Sequence, residues 1–333
     1  MVKTNSFKAW VLAARPKTLT GAIAPVLVGA AYAYVCIMHG DSQSSMLGSS
    51  LLTVHIQFFL CLLYAVLMQI DANLINDYFD FRKGTDREDR LGPERACAQG
   101  WITPRAMLWG IGVTTFLSCC VGLAIMFTHQ QWELLLVGVL CVLFCFLYTT
   151  HLSYLGWGDL LVLIFFGFIP VVFTYYVLMG GWHFPGLWPM QGQIPLLLAG
   201  LAMGMVTDNL LMVNNYRDRA QDFVSGKRTL VVRIIEAQRR RYGDEQGRKE
   251  GEQLCLDLYL WFGVLSVLSA LVALFLFPYS SIRWPLLLVY LIFHFKTFRQ
   301  LKTLDGKALN MVLGATARNI FLFGLLLAIS VFL

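Results

Sequence analysis

Long apolar segments, separated by shorter polar connections, dominate the pattern along this chain. Nine of these segments are each long enough to cross a hydrocarbon core of about 30 Å as a helix. The pattern therefore predicts an all-α polytopic membrane protein with nine transmembrane helices, built as a single domain over residues 1–333. The approximate bounds of the nine segments are 19–38, 51–76, 106–128, 132–150, 158–179, 194–216, 256–278, 283–298 and 314–333.

The positions of lysine and arginine give an independent test of this topology, because the cytoplasmic loops of membrane proteins are enriched in both. With nine alternating helices and a cytoplasmic N-terminus, 25 of the 26 lysines and arginines fall on the cytoplasmic side, and only Arg283 falls opposite. We therefore expect an integral, multi-pass protein of the cell (inner or cytoplasmic) membrane, surrounded by lipid, with an N-terminus and an active site on the cytoplasmic face.

The composition supports the same class of protein. Apolar residues make up 57% of the chain and charged residues only 14%, whereas ordinary soluble domains contain about 25% charged residues. A disordered chain and a soluble enzyme are thereby excluded, and the net charge of +6 does not indicate a nucleic-acid partner. The eight cysteines contain no Cys-x-x-Cys pair, so a zinc or iron–sulfur site has no support.

Two acidic motifs, over residues 73–86 and 214–228, have related sequences. Each lies at the end of a long apolar segment, the second and the sixth. The repeat predicts an internal duplication with one site shared between the two halves. Aligned without a gap, the equivalent pairs are Asn76 with Asn214, Tyr78 with Tyr216 and Asp80 with Asp218.

The spacing within each motif places several side-chain oxygens on one face of a helix. Asn76 and Asp80 are four residues apart and share one face of a helix. Asn214, Asp218 and Asp222 repeat this spacing twice. Carboxylate and phosphate oxygens are ligands that Mg²⁺ prefers, and the lysines and arginines beside these acids suit phosphate oxygens. The two motifs together predict a site for Mg²⁺ and a diphosphate.

These motifs resemble those of the UbiA superfamily of intramembrane aromatic prenyltransferases, which has nine helices and an Asp-rich motif after the second and the sixth. Within it, the chain is most similar to the 1,4-dihydroxy-2-naphthoate polyprenyltransferase branch. The general first motif has an aspartate where this chain has Gly84, and the next acid here is Asp86, a form similar to the naphthoate branch. The stretches that carry the resemblance are 15–19, 76–86, 89–93, 98–100, 174–176 and 214–230.

The resemblance implies a prenyltransferase, in which a polyprenyl diphosphate alkylates an aromatic ring and diphosphate is released. In the naphthoate branch the prenyl group replaces the ring carboxylate, so CO₂ is lost and demethylmenaquinone forms, a step of menaquinone biosynthesis. The implied cofactor is Mg²⁺, and the implied substrates are a polyprenyl diphosphate and an aromatic naphthoate acceptor. Other acceptors stay open, namely a 6-carboxylated naphthol, homogentisate or 4-hydroxybenzoate.

On this hypothesis each group of motif residues has an expected role. The expected metal ligands are Asn76, Asp80, Asp86, Asn214, Asp218 and Asp222. The expected contacts of the diphosphate are Lys17, Arg82, Lys227 and Arg228. The residues expected to act in catalysis are Asn73, Asp77, Asp80 and Asp218. Aromatic rings can shield and stabilise an allylic cation, and the candidates are Tyr148, Tyr154, Tyr175 and Tyr176. The candidates for orienting the acceptor hydroxyl are Asp71, Asn73 and Asp208.

A secondary transporter is the main alternative from another class, because transporters also contain internal repeats and intramembrane carboxylates. Transporters place these groups near the membrane midplane, whereas the acids of this chain lie at the ends of two helices on one face. The opposite side offers only Asp41 and Glu133. The sequence thus favours an enzyme over a transporter.

Overall fold

The computed structural model describes residues 2–40, 51–84, 90–182, 189–280 and 285–333, and within these ranges it contains twelve α-helices and no strand. Two π-helical segments, Tyr148–Leu152 and Ile164–Phe168, follow α5 and α6. The helices are α1 (Phe7–Ala14), α2 (Leu19–Met38), α3 (Leu51–Lys83), α4 (Pro104–His129), α5 (Glu133–Leu147), α6 (Gly158–Leu163), α7 (Ile169–Met179), α8 (Pro189–Val224), α9 (Leu230–Tyr242), α10 (Asp244–Leu276), α11 (Pro285–Thr303) and α12 (Leu309–Phe332).

Eight helical stretches in the described part of the chain are long and apolar enough to cross a membrane. The predicted all-α membrane fold is therefore confirmed, whereas the count of nine and the side of the N-terminus stay predictions. The eighth predicted segment, 283–298, corresponds to α11, which is not among the eight stretches. The second half of α11 carries Lys296, Arg299 and Lys302, so this helix is less apolar than the eight stretches.

An inner layer of helices forms the core of the molecule. The α2 helix packs against α7 and α12, and α8 packs against α10. Small residues such as Ala24 and Ala33 allow most of α2 to be buried among its neighbours. The outer helices α4 and α5 instead expose large apolar side chains, among them Trp109, Phe116 and Leu136. A surface with so many apolar side chains suits lipid rather than water.

The two motif helices are longer than a bilayer core requires. With 33 residues in α3 and 36 in α8, they extend about 50 Å and 54 Å at 1.5 Å per residue, against about 30 Å of hydrocarbon. The helical parts of both motifs lie in about the last three turns, which can therefore project beyond the apolar core. After α8, Gly226 adopts a left-handed φ of 75°, and the Lys227 amide donates to the Asp222 carbonyl at 2.9 Å. This turn brings Lys227 back toward the motif.

Polar contacts hold the other segments at the same end of the molecule. The Asn5 amide donates to the Trp101 carbonyl at 2.7 Å, so the N-terminal segment lies beside the connection that follows α3. On α8, the Arg219 guanidinium pairs with Glu252 of α10 at 3.0 Å and with Asp305, just before α12, at 3.2 Å. The Arg219 contacts thereby join α8 to α10 and to the turn between α11 and α12.

Candidate active site

Asp77 of the first motif anchors the connection between α3 and α4. Its two carboxylate oxygens accept hydrogen bonds from the backbone amides of Ala96 at 2.8 Å and Cys97 at 2.9 Å, and its side chain is buried. Because both oxygens are used in this way, the geometry gives Asp77 a positioning role for segment 90–103. A direct part in catalysis stays a prediction.

Asp80, one turn further along α3, lies among cations. Its Oδ2 accepts a hydrogen bond from the Arg95 guanidinium at 3.0 Å, and Arg95 belongs to the segment that Asp77 anchors. Asp80 also interacts electrostatically with four further cations, one of which lies on its own helix. These are Lys227, Arg90, Arg15 and Lys83.

One buried arginine organises the second motif. Arg217 donates through Nε and Nη2 to both oxygens of Asp218, at 2.8 and 2.6 Å, and through Nη2 to Asn214 Oδ1 at 2.8 Å. Its Nη1 reaches Asn310 Oδ1 of α12 at 2.9 Å. Gly92, which follows the first motif, lies against this guanidinium so closely that an added Cβ would be 2.6 Å from Nη2. The second motif therefore contacts the segment that the first motif holds.

Asp222 and Lys227 complete the junction between the two motifs. Asp222 Oδ1 lies 3.8 Å from Lys227 Nζ, and its buried Oδ2 has no hydrogen-bond partner among the described residues. Asp222 interacts electrostatically with both Asp218 and Asp80. The structure thus brings three of the predicted metal ligands and one predicted diphosphate contact into a single group.

Lys83 belongs to this group although it is not among the predicted site residues. Its Nζ lies 3.9 Å from the centroid of the Tyr154 ring, and Lys227 Nζ approaches the same ring at 5.9 Å. Lys83 also donates to the Thr150 carbonyl at 2.7 Å, in the π-helical turn where backbone carbonyls depart from α-helical pairing. The available signal was its place three residues after Asp80, on the same helix face.

The other residues predicted to contact the metal or the diphosphate have different surroundings from this group. Asn76 Oδ1 accepts a hydrogen bond from the Thr149 hydroxyl at 2.6 Å. Lys17, Arg82 and Arg228 are exposed, and within the described residues their side chains make no hydrogen bond or ion pair. Near Asp80 the N-terminal cation is Arg15, two residues before Lys17. Asp86 lies outside the described residues.

The predicted aromatic residues divide between the two ends of their helices. Tyr148 interacts electrostatically with Asp80 and Asp222 and therefore lies beside the motifs. Tyr175 donates a hydrogen bond to Cys36 Sγ at 3.7 Å, near the end of α2 that is remote from the motifs. Tyr176 packs there against Trp182, with ring centroids 4.5 Å apart. Tyr175 and Tyr176 are thus not brought to the cluster, and a contact with the prenyl group stays a prediction.

Two of the deep polar residues proposed for the acceptor already have partners within the protein. The amide group of Asn73 donates to the Ala14 carbonyl and to the Thr18 hydroxyl, each at 2.9 Å. The carboxylate of Asp71 accepts hydrogen bonds from two threonine hydroxyls of α4, at 2.5 and 2.7 Å. Both residues therefore tie neighbouring helices together.

Asp208 differs from these two residues. It is fully buried on α8, and within the part of the chain that the structure describes neither carboxylate oxygen has a hydrogen-bond partner. It interacts electrostatically with Asp159 of α6, whose Oδ1 is also buried and has no partner in the described ranges. Tyr148 interacts with both of these aspartates as well as with the motif acids. Asp208 is therefore the deep candidate whose polar atoms are still available.

The donor atoms of the site fit magnesium bound together with a diphosphate. No group of three or more His, Cys, Asp or Glu side chains that could hold a metal ion occurs within the described ranges. Mg²⁺ is commonly held by only one or two carboxylates, with phosphate oxygens and waters as its other ligands. The buried Oδ2 of Asp222 is available to such an ion. Each oxygen of Asp218 has a second lone pair beside the one that accepts from Arg217.

A protein-family model matches most of this chain. The family model described as the UbiA prenyltransferase family matches residues 22–313. The chain belongs to the UbiA prenyltransferase family. This assignment confirms the resemblance inferred from the motifs, and it supports an enzyme over a transporter.

Curated relatives place this UbiA family member near one branch. It is 32% identical to the 1,4-dihydroxy-2-naphthoate octaprenyltransferase of Escherichia coli (strain K12), over 98% of this chain and 96% of that protein. The protein of the same name from Mycobacterium tuberculosis (strain H37Rv) is 33% identical, over 71% of this chain and 73% of its own length. The UbiA prenyltransferase domain-containing protein 1 of Ailuropoda melanoleuca is 27% identical, over 96% and 84%.

Solved structures share the fold of this UbiA family member. A UbiA homolog from Archaeoglobus fulgidus, bound to GPP and Mg²⁺, superposes with a TM-score of 0.55 at 14% identity, over 96% of this chain and 99% of that one. A digeranylgeranylglyceryl phosphate synthase gives a TM-score of 0.57 at 17% identity, over 97% and 98%. At these identities the likeness concerns the fold alone.

Proposed function

We propose that this chain transfers a polyprenyl group from a polyprenyl diphosphate to 1,4-dihydroxy-2-naphthoate, with loss of diphosphate and CO₂. The product is demethylmenaquinone. The observation that carries the proposal is the meeting of the two motifs, in which Asp80, Asp222 and Lys227 interact with one another. The names of the curated relatives support the naphthoate acceptor.

The charges of the cluster suit the donor. Six cations, Arg15, Lys83, Arg90, Arg95, Arg217 and Lys227, accompany the three carboxylates Asp80, Asp218 and Asp222 among the described residues. An excess of positive charge attracts a polyanion such as a diphosphate, and guanidinium groups bind phosphate oxygens through directed hydrogen bonds. Lys83 and Lys227, which approach the same Tyr154 ring, are the cations that we assign to the diphosphate oxygens.

The reaction begins with heterolysis of the allylic C–O bond, whose electron pair leaves with the diphosphate. When bound, Mg²⁺ supplies Lewis-acid stabilisation of that leaving group. We assign its binding to Asp80, Asp218 and Asp222, with Asn76 and Asn214 as further oxygen donors. Fixed cations around the cluster stabilise the same charge without reorganising during the reaction.

The acceptor then attacks the allylic carbon through the ring carbon that carries its carboxylate. The new C–C bond forms, the bond to the carboxylate breaks, and its electron pair restores the aromatic ring as CO₂ leaves. Rings such as Tyr148 and Tyr154 shield the cation from water and stabilise it through their π faces. Asp208 is the residue that we assign to the acceptor hydroxyl, because both of its buried oxygens lack a partner among the residues that the structure describes.

We further place this chemistry at the cytoplasmic face of the inner (cytoplasmic) membrane. The proposal rests on the segregation of the lysines and arginines in the sequence and on the lengths of α3 and α8, which exceed what a hydrocarbon core requires.

The test is product formation by purified protein in detergent. Prenyl diphosphate is supplied with 1,4-dihydroxy-2-naphthoate, and separately with 4-hydroxybenzoate, each in the presence of Mg²⁺ or EDTA. We expect a decarboxylated, prenylated naphthol from the naphthoate alone, and only with Mg²⁺. Turnover of 4-hydroxybenzoate alone would overturn the acceptor assignment, and full turnover in EDTA would overturn the role of Mg²⁺.

A further inference from the structure

A groove between α11 and α12 combines apolar walls with two cations. It encloses a cavity of about 270 Å³. Its apolar walls include Phe293 and Leu322, and its polar lining includes the cations Lys296 and Arg318. A shallower depression continues from it along α11, past Ile292 and Phe295. Its residues also include Lys296, Arg299 and Gln300.

This groove faces the lipid rather than the protein interior. Ile292 is 68% exposed and Phe293 45% exposed, and such large apolar side chains are normally exposed only where lipid or a partner covers them. On α12, Met311 is 65% exposed along the same outward surface. The groove is therefore a membrane-facing feature, separate from the acidic cluster inside the bundle.

The groove lies toward the end of the molecule that carries the two motifs. Asp305, in the turn between α11 and α12, pairs with Arg219 of the second motif helix. Lys296 precedes the end of α11 by seven residues, and Arg318 follows the start of α12 by nine. At 1.5 Å per residue, both cations lie about 10 to 14 Å along their helices from these ends.

No protein carboxylate neutralises these cations in the described part of the chain. Neither Lys296 nor Arg318 takes part in an ion pair, and no aspartate or glutamate lines the groove. Asn319 adds an amide at the base of the groove, where it donates to the Thr297 hydroxyl at 2.9 Å. A cation within a membrane is costly unless an anion or water compensates it, and Lys and Arg stems can reach toward headgroups.

We propose that this groove binds the phosphodiester headgroup of an anionic phospholipid. The phosphate would lie between Lys296 and Arg318, and an acyl chain would lie along Ile292, Phe293 and Leu322. Basic pockets between transmembrane helices are a recurring form of anionic-lipid site. Charge complementarity favours an anionic over a zwitterionic headgroup, and the apolar walls favour a lipid over a free anion. The proposal does not depend on the identity of the prenyl acceptor.

The test compares lipid retention by the full-length protein in detergent. Native mass spectrometry measures binding of phosphatidylglycerol and of phosphatidylcholine with the same acyl chains, and thermal unfolding measures the stabilisation by each. The test variant is Lys296→Gln/Arg318→Gln. The matched control is Arg105→Gln/Lys307→Gln, which removes two exposed cations outside the groove. Prenyl transfer in detergent verifies that each variant is folded.

We expect the wild type to retain phosphatidylglycerol in preference to phosphatidylcholine. Loss of two charge-assisted contacts should weaken phosphatidylglycerol binding about tenfold or more, with no change in the control. The charge-preserving variant Lys296→Arg/Arg318→Lys should keep the preference even if Lys296→Gln/Arg318→Gln proves unstable. The proposal is overturned if the wild type shows no preference for phosphatidylglycerol. It is also overturned if the glutamine variant keeps this preference or the charge-preserving variant loses it. An equal loss of phosphatidylglycerol binding in the control variant would overturn it as well. Displacement of the lipid by equimolar inorganic phosphate would also overturn it, because the site would then be one for a free anion.

Discussion

The ends of α3 and α8 carry related sequences, yet they hold their carboxylates in different ways. In the first motif, Asp80 receives its arginine from the following segment, in the form of Arg95. In the second, Arg217 lies next to Asp218 in the sequence and binds both of its oxygens. The residue that aligns with Arg217 in the first motif is Phe79. The repeat therefore fixes the positions of the acids, and each half supplies its own means of orienting them.

The two arginines also differ in burial and in the number of their partners. The Arg217 side chain is 0% exposed and Asp218 15%, against 8% for Arg95 and 21% for Asp80. Arg217 additionally contacts Asn214 and Asn310, so it joins α8 to α12. The second motif is thus built around one shared buried cation, whereas the first relies on a connection that is held from several sides.

If the acids are equivalent in function despite this difference, then Asp80→Ala and Asp218→Ala should have similar effects. We expect each to lower kcat for prenyl transfer by about a hundredfold to a thousandfold, because charge on the leaving group loses a preorganised partner. Steady-state kinetics with purified protein measures this. Asp244→Ala, at an exposed acid at the start of α10, is the control. Near-normal turnover in either motif variant would contradict the assignment.

Substitution of Arg217 and of Arg95 should lower the free energy of unfolding by different amounts. Arg217→Gln removes one partner of a buried ion pair and should lower the free energy of unfolding by about 3 kcal/mol or more. Arg95→Gln should cost less, since its ion pair is more exposed to solvent. Unfolding in detergent, followed by circular dichroism, gives both values. Equal losses would show that burial of Arg217 does not distinguish the two motifs.

Lys227 and Lys83 allow a similar comparison at the diphosphate. Lys227→Ala should raise KM for the prenyl diphosphate about tenfold, the effect of one lost charge-assisted contact. Lys83→Ala should raise it less, because Lys83 already donates to the Thr150 carbonyl. Initial rates over a range of donor concentrations test this, with Lys302→Ala as the control at an exposed lysine. An unchanged KM in Lys227→Ala would count against contact with the diphosphate.

Substitutions of the deep aspartates Asp71 and Asp208 should have the smallest effects, and each should change a different property. Asp71→Asn should lower the free energy of unfolding by about 1 to 2 kcal/mol, because its two threonine partners lose a charged acceptor. Asp208→Asn should leave stability unchanged or raise it, since an unpartnered buried carboxylate is unfavourable. It should instead raise KM for the naphthoate. A stability loss in Asp208→Asn with an unchanged acceptor KM would assign it a structural role.

The fold and the broad position of the site could be predicted because they depend on local patterns. The length of an apolar segment indicates a membrane helix directly, and a spacing of four residues places Asn76 on the same helix face as Asp80. The equivalence of the two motifs followed from alignment alone. These signals are repeated along the chain, and no knowledge of tertiary contacts is needed to read them.

The partners of individual residues could not be predicted in this way. That Asp77 binds the amides of Ala96 and Cys97 depends on how segment 90–103 folds back over α3. Likewise, Lys83 rather than Arg82 approaches the Tyr154 ring because of the side of α3 that faces this ring. Neither relation leaves a periodic signal in the sequence, because each joins residues that are distant along the chain.

The Asp77 anchor has a consequence for biosynthesis. Every group that fastens segment 90–103 through Asp77 and Asn5 lies in the first third of the chain, so it emerges from the ribosome long before α8. Since synthesis proceeds from the N-terminus, Gly92 can be in place when Arg217 arrives. The first half of the protein can then serve as the template on which the second half completes the substrate pocket.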